Sequence, residues 1–191
     1  MSLLPEQERA LAYVRRRGTE APLEAIRSRV AGTYAEIEAL VEGVAEGLAR
    51  QRPEPGSWSV LEVVDHLVES DRPAVAQLRE LLAGRSSEQV IAAGMQSTDP
   101  SAQAWTALLA SFRAVHGEIL ALLDGADDTL PLTATAPVEM VVKHTAPEGT
   151  LRPVHWVERF DWKAYAILLH AHNREHISQV QRILGKIHAP E

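Results

Sequence analysis

The strongest constraint on the fold is a helical spacing of apolar residues that recurs along the chain. Apolar side chains three and four residues apart form one stripe from Leu23 to Leu48, a second from Trp105 to Leu122 and a third from Trp162 to Ile183. Residues at this spacing share one face of an α-helix, and an amphipathic helix buries that face. The pattern therefore predicts a bundle of packed helices.

A fourth long helix is predicted from its start signal. Ser59 and Glu62 have the spacing of a capping box, in which a hydroxyl and a carboxylate satisfy free N–H groups at a helix start. This helix is predicted to run to about Leu82, with Pro73 interrupting and kinking it. Asp99-Pro100 is the predicted start of the next helix, because aspartate favours the N-cap and proline the first helical position.

The remaining segments are predicted to be shorter. Residues 5–17 predict a short N-terminal helix, and the polar residues 85–99 predict a crossover. The connection from Asp127 to Arg159 has no helical period, and its apolar segments 138–144 and 150–156 flank a Pro-Glu-Gly turn, which predicts a small hairpin. A connection of this length is usually functional or partly disordered, so it is a candidate lid. The predicted fold class is all-α, a four-helix bundle with this hairpin before the last helix.

Composition limits the class of protein. The length of 191 residues and a hydrophobic content of 46% predict a single domain over residues 1–191. A net charge of -7 argues against nucleic-acid binding, and 0 cysteines exclude disulfides, thiolate metal ligands and a cysteine nucleophile. Neither a signal peptide nor an apolar run of about 18 residues is evident, so we expect a cytoplasmic protein that does not bind membranes.

Two histidines stand out on the last helix. His172 and His176 are four residues apart and fall on its predicted inward stripe. At this spacing two imidazoles can share one metal ion, whereas the ordinary alternative is a pair of neutral core histidines hydrogen-bonded to neighbouring helices. The string from His172 to His176 also matches the H-x-x-E-H pattern of inverted zinc peptidases. That interpretation fails, because no helix follows that could donate the third, acidic ligand.

A third ligand must therefore come from upstream. The candidates are His66, His116, His144, His155, Glu62 and Asp65. His66 is favoured, because it lies about 9 Å into a capped helix and His172 about 16 Å into its own, depths compatible with a common layer. His116 is interpreted as partly exposed beside the core stripe. A di-iron carboxylate site is excluded, since the required Glu-x-x-His motifs are missing.

Two segments resemble the metal motifs of the DinB/YfiT-like superfamily. The first runs from Trp58 to His66, and the second contains His172, His176 and Gln179. The resemblance covers about residues 20–185. It implies an up-down-down-up four-helix bundle with a three-histidine site at His66, His172 and His176, completed by water or substrate and binding a divalent ion such as zinc or nickel.

The resemblance also implies functions. Members include thiol S-transferases that use bacillithiol, mycothiol or glutathione, so the first hypothesis is transfer of a low-molecular-weight thiol to a small electrophilic molecule. A metal-dependent hydrolase is the nearest alternative, and a metal-binding or stress-associated protein without turnover is the third. A homodimer is also implied. An open coordination position beside an apolar pocket would favour the transferase or the hydrolase. A closed site would favour the metal-binding protein without turnover.

Other residues near the motifs have ordinary interpretations. Glu62 is explained by the capping box, and Asp65 and Glu175 are interpreted as surface or flanking charges. Arg174, His155 and Trp156 are assigned to solvated or loop-anchoring roles rather than to substrate binding. Trp58 and Trp162 are interpreted as core side chains at helix starts.

Overall fold

The computed structural model describes residues 3–146 and 148–188. In this part of the chain the helices are α1 (Pro5–Arg17), α2 (Leu23–Glu42), α3 (Glu46–Ala49), α4 (Val60–Leu82), α5 (Trp105–Asp124) and α6 (Trp162–Ile187). The strands are β1 (Ala136–Thr145) and β2 (Leu151–Phe160), which pair antiparallel. A short 3₁₀ helix spans Pro100–Ala102.

The four long helices form the predicted bundle. Helix α2 packs against α5 and α6, and α4 packs against the same two, so that α2 and α4 lie opposite each other. The strictly all-α prediction is wrong, because the predicted hairpin is a sheet of two strands of 10 residues each. The up-down-down-up order stays a prediction.

Three helix boundaries differ from the sequence prediction. Helix α2 ends at Glu42 instead of continuing to Leu48, because the chain turns at Gly43 and the backbone of Ala45 is extended (φ -64°, ψ 145°). The helix predicted from Pro100 begins at Trp105, because Gln103 is also extended and separates it from the 3₁₀ helix. Helix α4 continues through Pro73, so the predicted interruption does not occur.

The apolar core consists of two clusters. One contains Ile26, Val30, Leu78, Ile119 and Trp162, and the other contains Ile37, Val41, Leu67, Phe112 and Val180. Along each long helix the two clusters meet near buried polar side chains: Thr33 on α2, His66 and Asp71 on α4, His116 on α5, and Asn173 and His176 on α6. The bundle therefore has a polar layer between two apolar halves.

The hairpin and the crossover cover one side of this layer. Ile91 in the crossover forms a parallel bridge with Val138 of β1, and the N–H of Glu139 donates to the Ile91 carbonyl at 3.1 Å. The Glu139 carboxylate in turn accepts the Ala93 N–H at 2.8 Å. Helix α1 packs against β1 and α6. These contacts join the predicted lid to the bundle.

Helix α5 is the one candidate membrane span among the described residues. Its 20 residues, Trp105–Asp124, are long and apolar enough to cross a bilayer by length and composition. The core helix of a bundle passes the same test, and Phe112 and Ile119 of α5 are buried in the two apolar clusters. The apolar character of α5 is therefore explained by helix packing.

Candidate metal centre

Local capping fixes His66 on α4. The Ser59 hydroxyl accepts the Glu62 N–H at 3.2 Å, and the Glu62 carboxylate accepts the Ser59 N–H at 2.8 Å, so the predicted capping box is confirmed. His66 lies about two turns after this start, with 4% of its surface exposed. The capping box therefore sets the depth at which the imidazole enters the bundle.

His172 and His176 lie on α6 one turn apart. The Asp161 carboxylate caps this helix and accepts the N–H groups of Lys163 and Ala164 at 2.9 and 3.0 Å. His176 is buried, whereas the side chain of His172 is 31% exposed. His172 is therefore the most accessible of the three predicted ligands.

The three histidines converge through their Nε2 atoms. Nε2 of His172 lies 2.9 Å from Nε2 of His66 and 3.1 Å from Nε2 of His176. One potential ligand atom from each residue lies within 4.8 Å of the others. Nitrogen atoms around a tetrahedral zinc ion, with bonds of 2.0–2.1 Å, would be about 3.3 Å apart. The cluster is therefore close to the size that a small divalent ion needs.

Each Nδ1 atom faces an acceptor on the outer side of the cluster. Nδ1–H of His66 donates to the Met95 carbonyl at 2.6 Å, and Nδ1–H of His176 donates to the Gln179 side-chain oxygen at 2.7 Å. Nδ1 of His172 lies 3.9 Å from Oδ1 of Asp71. Metal-bound histidines almost always have such an acceptor on the second nitrogen. The outer contacts thus leave the Nε2 lone pairs of His66 and His176 directed inward.

The arrangement of lone pairs favours a cation. With Nδ1 protonated, His66 and His176 both present an Nε2 lone pair to His172. If Nε2 of His172 carries the hydrogen, the Nδ1 lone pair faces the Asp71 carboxylate, and the two repel each other. If Nδ1 carries the hydrogen, three Nε2 lone pairs meet and repel one another. A divalent ion between the Nε2 atoms removes this conflict. The donor set therefore fits a metal with three neutral imidazole ligands.

Burial keeps His66 and His176 unprotonated. Burial lowers the pKa of His176 to about 3, with further lowering by the neighbouring His172 and His66. Burial also lowers the pKa of His66, and the nearby His172 adds to this effect. Protons compete with metal ions for imidazole nitrogen, so low pKa values leave both ligands available at neutral pH.

A cavity opens onto the cluster. Its volume is about 440 Å³, and its wall includes all three histidines. Trp58 and Leu169 line it from the bundle side, and residues 138–142 of β1 line it from the hairpin side. The carboxylates in its wall belong to Asp71, Glu139 and Glu175, whereas no lysine or arginine of the described chain lines it. The cavity can therefore hold a small molecule beside the cluster.

Two sequence interpretations of individual residues are wrong. His116 was expected to be partly exposed, but it is 1% exposed and stacks on Tyr34 with ring centroids 3.7 Å apart. Asp65 was interpreted as a surface or flanking charge; it flanks His66, but it is buried and accepts hydrogen bonds from the Ser97 N–H and the Gln103 side chain. Asp65 thereby ties the crossover to α4 next to His66, which is a structural role.

The other candidates lie around the cluster. Trp162 is fully buried as expected, whereas Trp58 is only half-buried and lines the cavity with its ring centroid 5.2 Å from that of His66. Glu175 is exposed at the cavity wall, and Arg174 pairs with Glu36 on the surface. His144, His155 and Trp156 lie on the hairpin, where His144 contacts Glu6 and His155 contacts Glu139.

The sequence prediction missed buried polar residues next to the cluster. These are Asp71 and Asn173, which were not singled out, and His116, which was a candidate ligand but was interpreted as partly exposed. Their spacing in the sequence indicates burial. Asp71 lies four positions after Leu67, His116 four after Phe112, and Asn173 four after Leu169, so each shares a helix face with an apolar core residue. Polar residues at core spacing thus indicated burial, although they did not indicate which residues meet.

The fold and the cluster define a class, namely helical bundles with three histidines converging beside an open cavity. A sequence profile of the DinB superfamily matches residues 29–180. The chain belongs to the DinB superfamily, as the resemblance of its motifs implied.

Solved structures share the fold. YfiT from Bacillus subtilis, described as a probable metal-dependent hydrolase with an unusual four-helix bundle topology, has 17% sequence identity and a TM-score of 0.57, over 86% of this chain and 87% of that chain. TT2238, described as a four-helix bundle protein, has 14% identity and a TM-score of 0.53, over 84% of this chain and 99% of that chain. A search of the curated proteins finds no match.

Proposed function

We propose that the protein is a mononuclear metal enzyme in which His66, His172 and His176 bind one divalent ion, with zinc and nickel as the first candidates. The observation that carries the proposal is the convergence of three Nε2 atoms, with distances of 2.9 and 3.1 Å between them, at the wall of an open cavity. Three neutral imidazoles leave the ion its full charge and leave room for an exogenous ligand. A closed structural site would not need the cavity.

The favoured activity is transfer of a low-molecular-weight thiol to a small electrophilic molecule. The ion would supply Lewis acidity that lowers the pKa of a thiol or a water molecule coordinated beside the histidines. In a transfer, the thiol loses its proton to solvent and its sulfur forms a bond to an electrophilic carbon. The bond between that carbon and the leaving group breaks, and the leaving group departs with the electron pair. The chain would contribute the three ligands and a cavity that holds the thiol and the electrophile next to each other. The 0 cysteines of the chain are compatible with a nucleophile from outside.

Hydrolysis is the second candidate. The fold similarity to YfiT, described as a probable metal-dependent hydrolase, favours it. The same accessible face of the histidine cluster could then serve a water molecule as nucleophile instead of a thiol. The two activities differ in one observable, because a transferase consumes a thiol in proportion to product and a hydrolase does not.

The cavity also points to the kind of substrate. Its apolar residues, among them Ile91, Met140 and Leu168, would contact an apolar molecule, while its charged groups are carboxylates. Neutral or cationic molecules of small size fit this wall better than anions do. A non-catalytic metal-binding role remains the third alternative, and the homodimer implied by the resemblance stays a prediction for light scattering to test.

Metal content is the first test. Untagged protein purified without chelators is analysed for metals, together with His66→Ala, His176→Ala and the control His188→Ala, which removes an exposed histidine near the end of the same helix. We expect about one divalent ion per chain in the wild type and in the control, and loss of it in the other two variants. Absence of metal after reconstitution with zinc and nickel would contradict the proposal.

Turnover is the second test. The metal-loaded protein is incubated with an alkylating dye and a series of thiols, and separately with p-nitrophenyl esters. Loss of thiol that matches product formation, and that requires His176, identifies a transferase. Ester hydrolysis without a thiol identifies a hydrolase. Bound metal without either activity, across both series, supports the non-catalytic alternative.

A further inference from the structure

The polar layer of the bundle extends beyond the three histidines. Each long helix contributes to it: Tyr34 and Glu38 from α2, Asp71 from α4, His116 from α5 and Asn173 from α6. Asp71, His116 and Asn173 are each at most 1% exposed. These residues interrupt the apolar core immediately beside the histidine cluster.

This layer is costly for stability. Asp71 Oδ1, His116 Nε2, Asn173 Oδ1 and the Tyr34 hydroxyl have no hydrogen-bond partner among the described residues. A buried polar atom without a partner destabilises the folded state, and native proteins contain few of them. Apolar side chains would pack here without this cost. Four such atoms in one place therefore call for an explanation in the chemistry of the neighbouring site.

The layer connects to the cluster through Asp71. Its Oδ1 atom lies 3.9 Å from Nδ1 of His172, and its Oδ2 atom accepts a hydrogen bond from the Asn173 amide at 3.2 Å. On the other side, Oδ2 of Asp71 lies 3.9 Å from Nε2 of His116. The carboxylate thus lies between two histidines, one of which is a proposed ligand.

The contacts continue to the opposite helix. Nδ1–H of His116 donates to the Glu38 carboxylate at 2.6 Å, and the His116 ring is held between Tyr34 and Phe112. Glu38 is partly exposed, with 28% of its side chain accessible. A chain of polar contacts therefore runs from the surface of α2 through α5 and α4 to His172 on α6.

We propose that Asp71 is the positioning residue for His172, holding the imidazole with Nε2 toward the metal, and that the Asn173 amide, which donates a hydrogen bond to the Asp71 carboxylate, holds Asp71 in place. The inference rests on the proposed metal site. His66 and His176 already have close acceptors in Met95 and Gln179, and among the described residues Asp71 offers the acceptor that faces Nδ1 of His172. His172 is also the most exposed ligand and has the most freedom to turn away.

Metal affinity in matched variants tests this role. Zinc dissociation constants are measured by competition with a chromophoric chelator for wild type, Asp71→Ala, Asp71→Asn, His116→Gln and Tyr34→Phe. We expect about 10- to 100-fold weaker binding in Asp71→Ala, the range for loss of such partners. Asp71→Asn, whose amide oxygen can still accept from His172, is expected to lose less, and His116→Gln less than Asp71→Ala. Tyr34→Phe removes a buried hydroxyl of the same layer that makes no hydrogen bond with Asp71 or His172, so its affinity is expected to match the wild type.

A spectroscopic measurement separates positioning from general stability. Long-range ¹H–¹⁵N spectra of the metal-free protein report which nitrogen of each histidine carries the hydrogen. In the metal-free protein the Nε2 lone pairs of His66 and His176 favour a hydrogen on Nε2 of His172, and Asp71 favours a hydrogen on Nδ1. We therefore expect a larger fraction of the Nδ1–H tautomer of His172 in the wild type and in Tyr34→Phe than in Asp71→Ala. Cobalt-loaded Asp71→Ala is expected to show a shifted visible spectrum. If Asp71→Ala does not fold, as judged by circular dichroism, Asp71→Asn takes its place.

The outcomes are distinguishable. A wild-type protein that binds no metal overturns the proposed function. A wild type that binds metal while folded Asp71 variants bind it equally well, with an unchanged His172 tautomer, overturns only the positioning role. Equal losses of affinity in Tyr34→Phe and Asp71→Ala would also overturn it, because the effect would then come from the packing of the layer.

Discussion

The Nε2 atoms of His66 and His172 lie 2.9 Å apart, although 106 positions separate the two residues in the chain. His66 lies on α4, about two turns after its capped start, and His172 lies on α6, about three turns after its capped start. The distance therefore depends on the packing of two helices rather than on a local motif. A ligand that bridges these helices should stabilise the whole bundle.

Metal binding is accordingly expected to raise the thermal stability of the protein. A ligand that binds only the folded state stabilises it by about 2.7 kcal/mol at 100 times its Kd. The melting temperature in zinc is predicted to exceed that in chelator, and His176→Ala is predicted to lose this difference. Differential scanning calorimetry with and without zinc measures it, with His188→Ala as the control. A zinc effect of equal size in His176→Ala would place the metal elsewhere.

The stability of the metal-free protein is expected to depend on pH through its buried histidines. Burial lowers the pKa of His66, His116 and His176 in the folded state, while unfolded histidine titrates near about 6.5. Below that pH the unfolded state binds more protons, so stability is predicted to fall as the pH decreases from about 6.5 and to be insensitive to these groups above it. Urea unfolding between about pH 5 and pH 8 measures the slope.

The variant His176→Gln provides the matching comparison for that slope. It removes one of the three groups without adding a charge, so the fall in stability below about pH 6.5 is predicted to be shallower than in the wild type. An identical slope in the two proteins would mean that His176 is protonated equally in the folded and unfolded states.

Sequence reasoning succeeded where the information is local. The capping box at Ser59 and the spacing of His172 and His176 each depend on residues within one or two helical turns, so they could be read directly. The resemblance of these motifs to one family then paired them with each other. The extent of α2 was overpredicted, because the apolar stripe continues through Val44 while the backbone turns at Gly43.

The polar layer could not be predicted in the same way. Asp71 and His116 come from different helices, and neither has a local sequence motif that distinguishes it from a solvated residue. Their meeting depends on the packing of α4 against α5 and on the rotation of each helix about its axis. The available signal was a polar residue at the spacing of core residues. Whether such a residue has a hydrogen-bond partner depends on the neighbouring helices of the folded bundle.

The capping box is predicted to stabilise the protein without affecting metal stoichiometry. Ser59→Ala removes the hydroxyl that accepts the Glu62 N–H, and loss of such a cap costs about 0.5–2 kcal/mol. The control Ser178→Ala lies at an exposed position in the interior of α6, where alanine is tolerated. Urea unfolding of both metal-free variants measures the difference, and metal analysis is expected to give the same content as in the wild type. A cost in Ser59→Ala no larger than in the control would contradict this role.

The charge of the cavity wall is predicted to select among thiols of similar size. Glu175 is exposed at that wall and forms no ion pair with another described residue, so its carboxylate faces incoming molecules directly.

The binding of thiols to the cobalt-loaded protein is measured by the change in its visible spectrum. We expect cysteamine to bind more tightly than 2-mercaptoethanol, and 2-mercaptoethanol more tightly than 3-mercaptopropionate. Because a single exposed charge pair is worth about 0.2–1 kcal/mol, Glu175→Gln should reduce the preference for the cation by about 1.4- to 5-fold. The matched variant Glu36→Gln neutralises a surface carboxylate that pairs with Arg174 away from the cavity wall, and its preference should equal that of the wild type. Tightest binding of the anionic thiol would mean that the charge of the ion, rather than that of the cavity wall, determines which molecules enter.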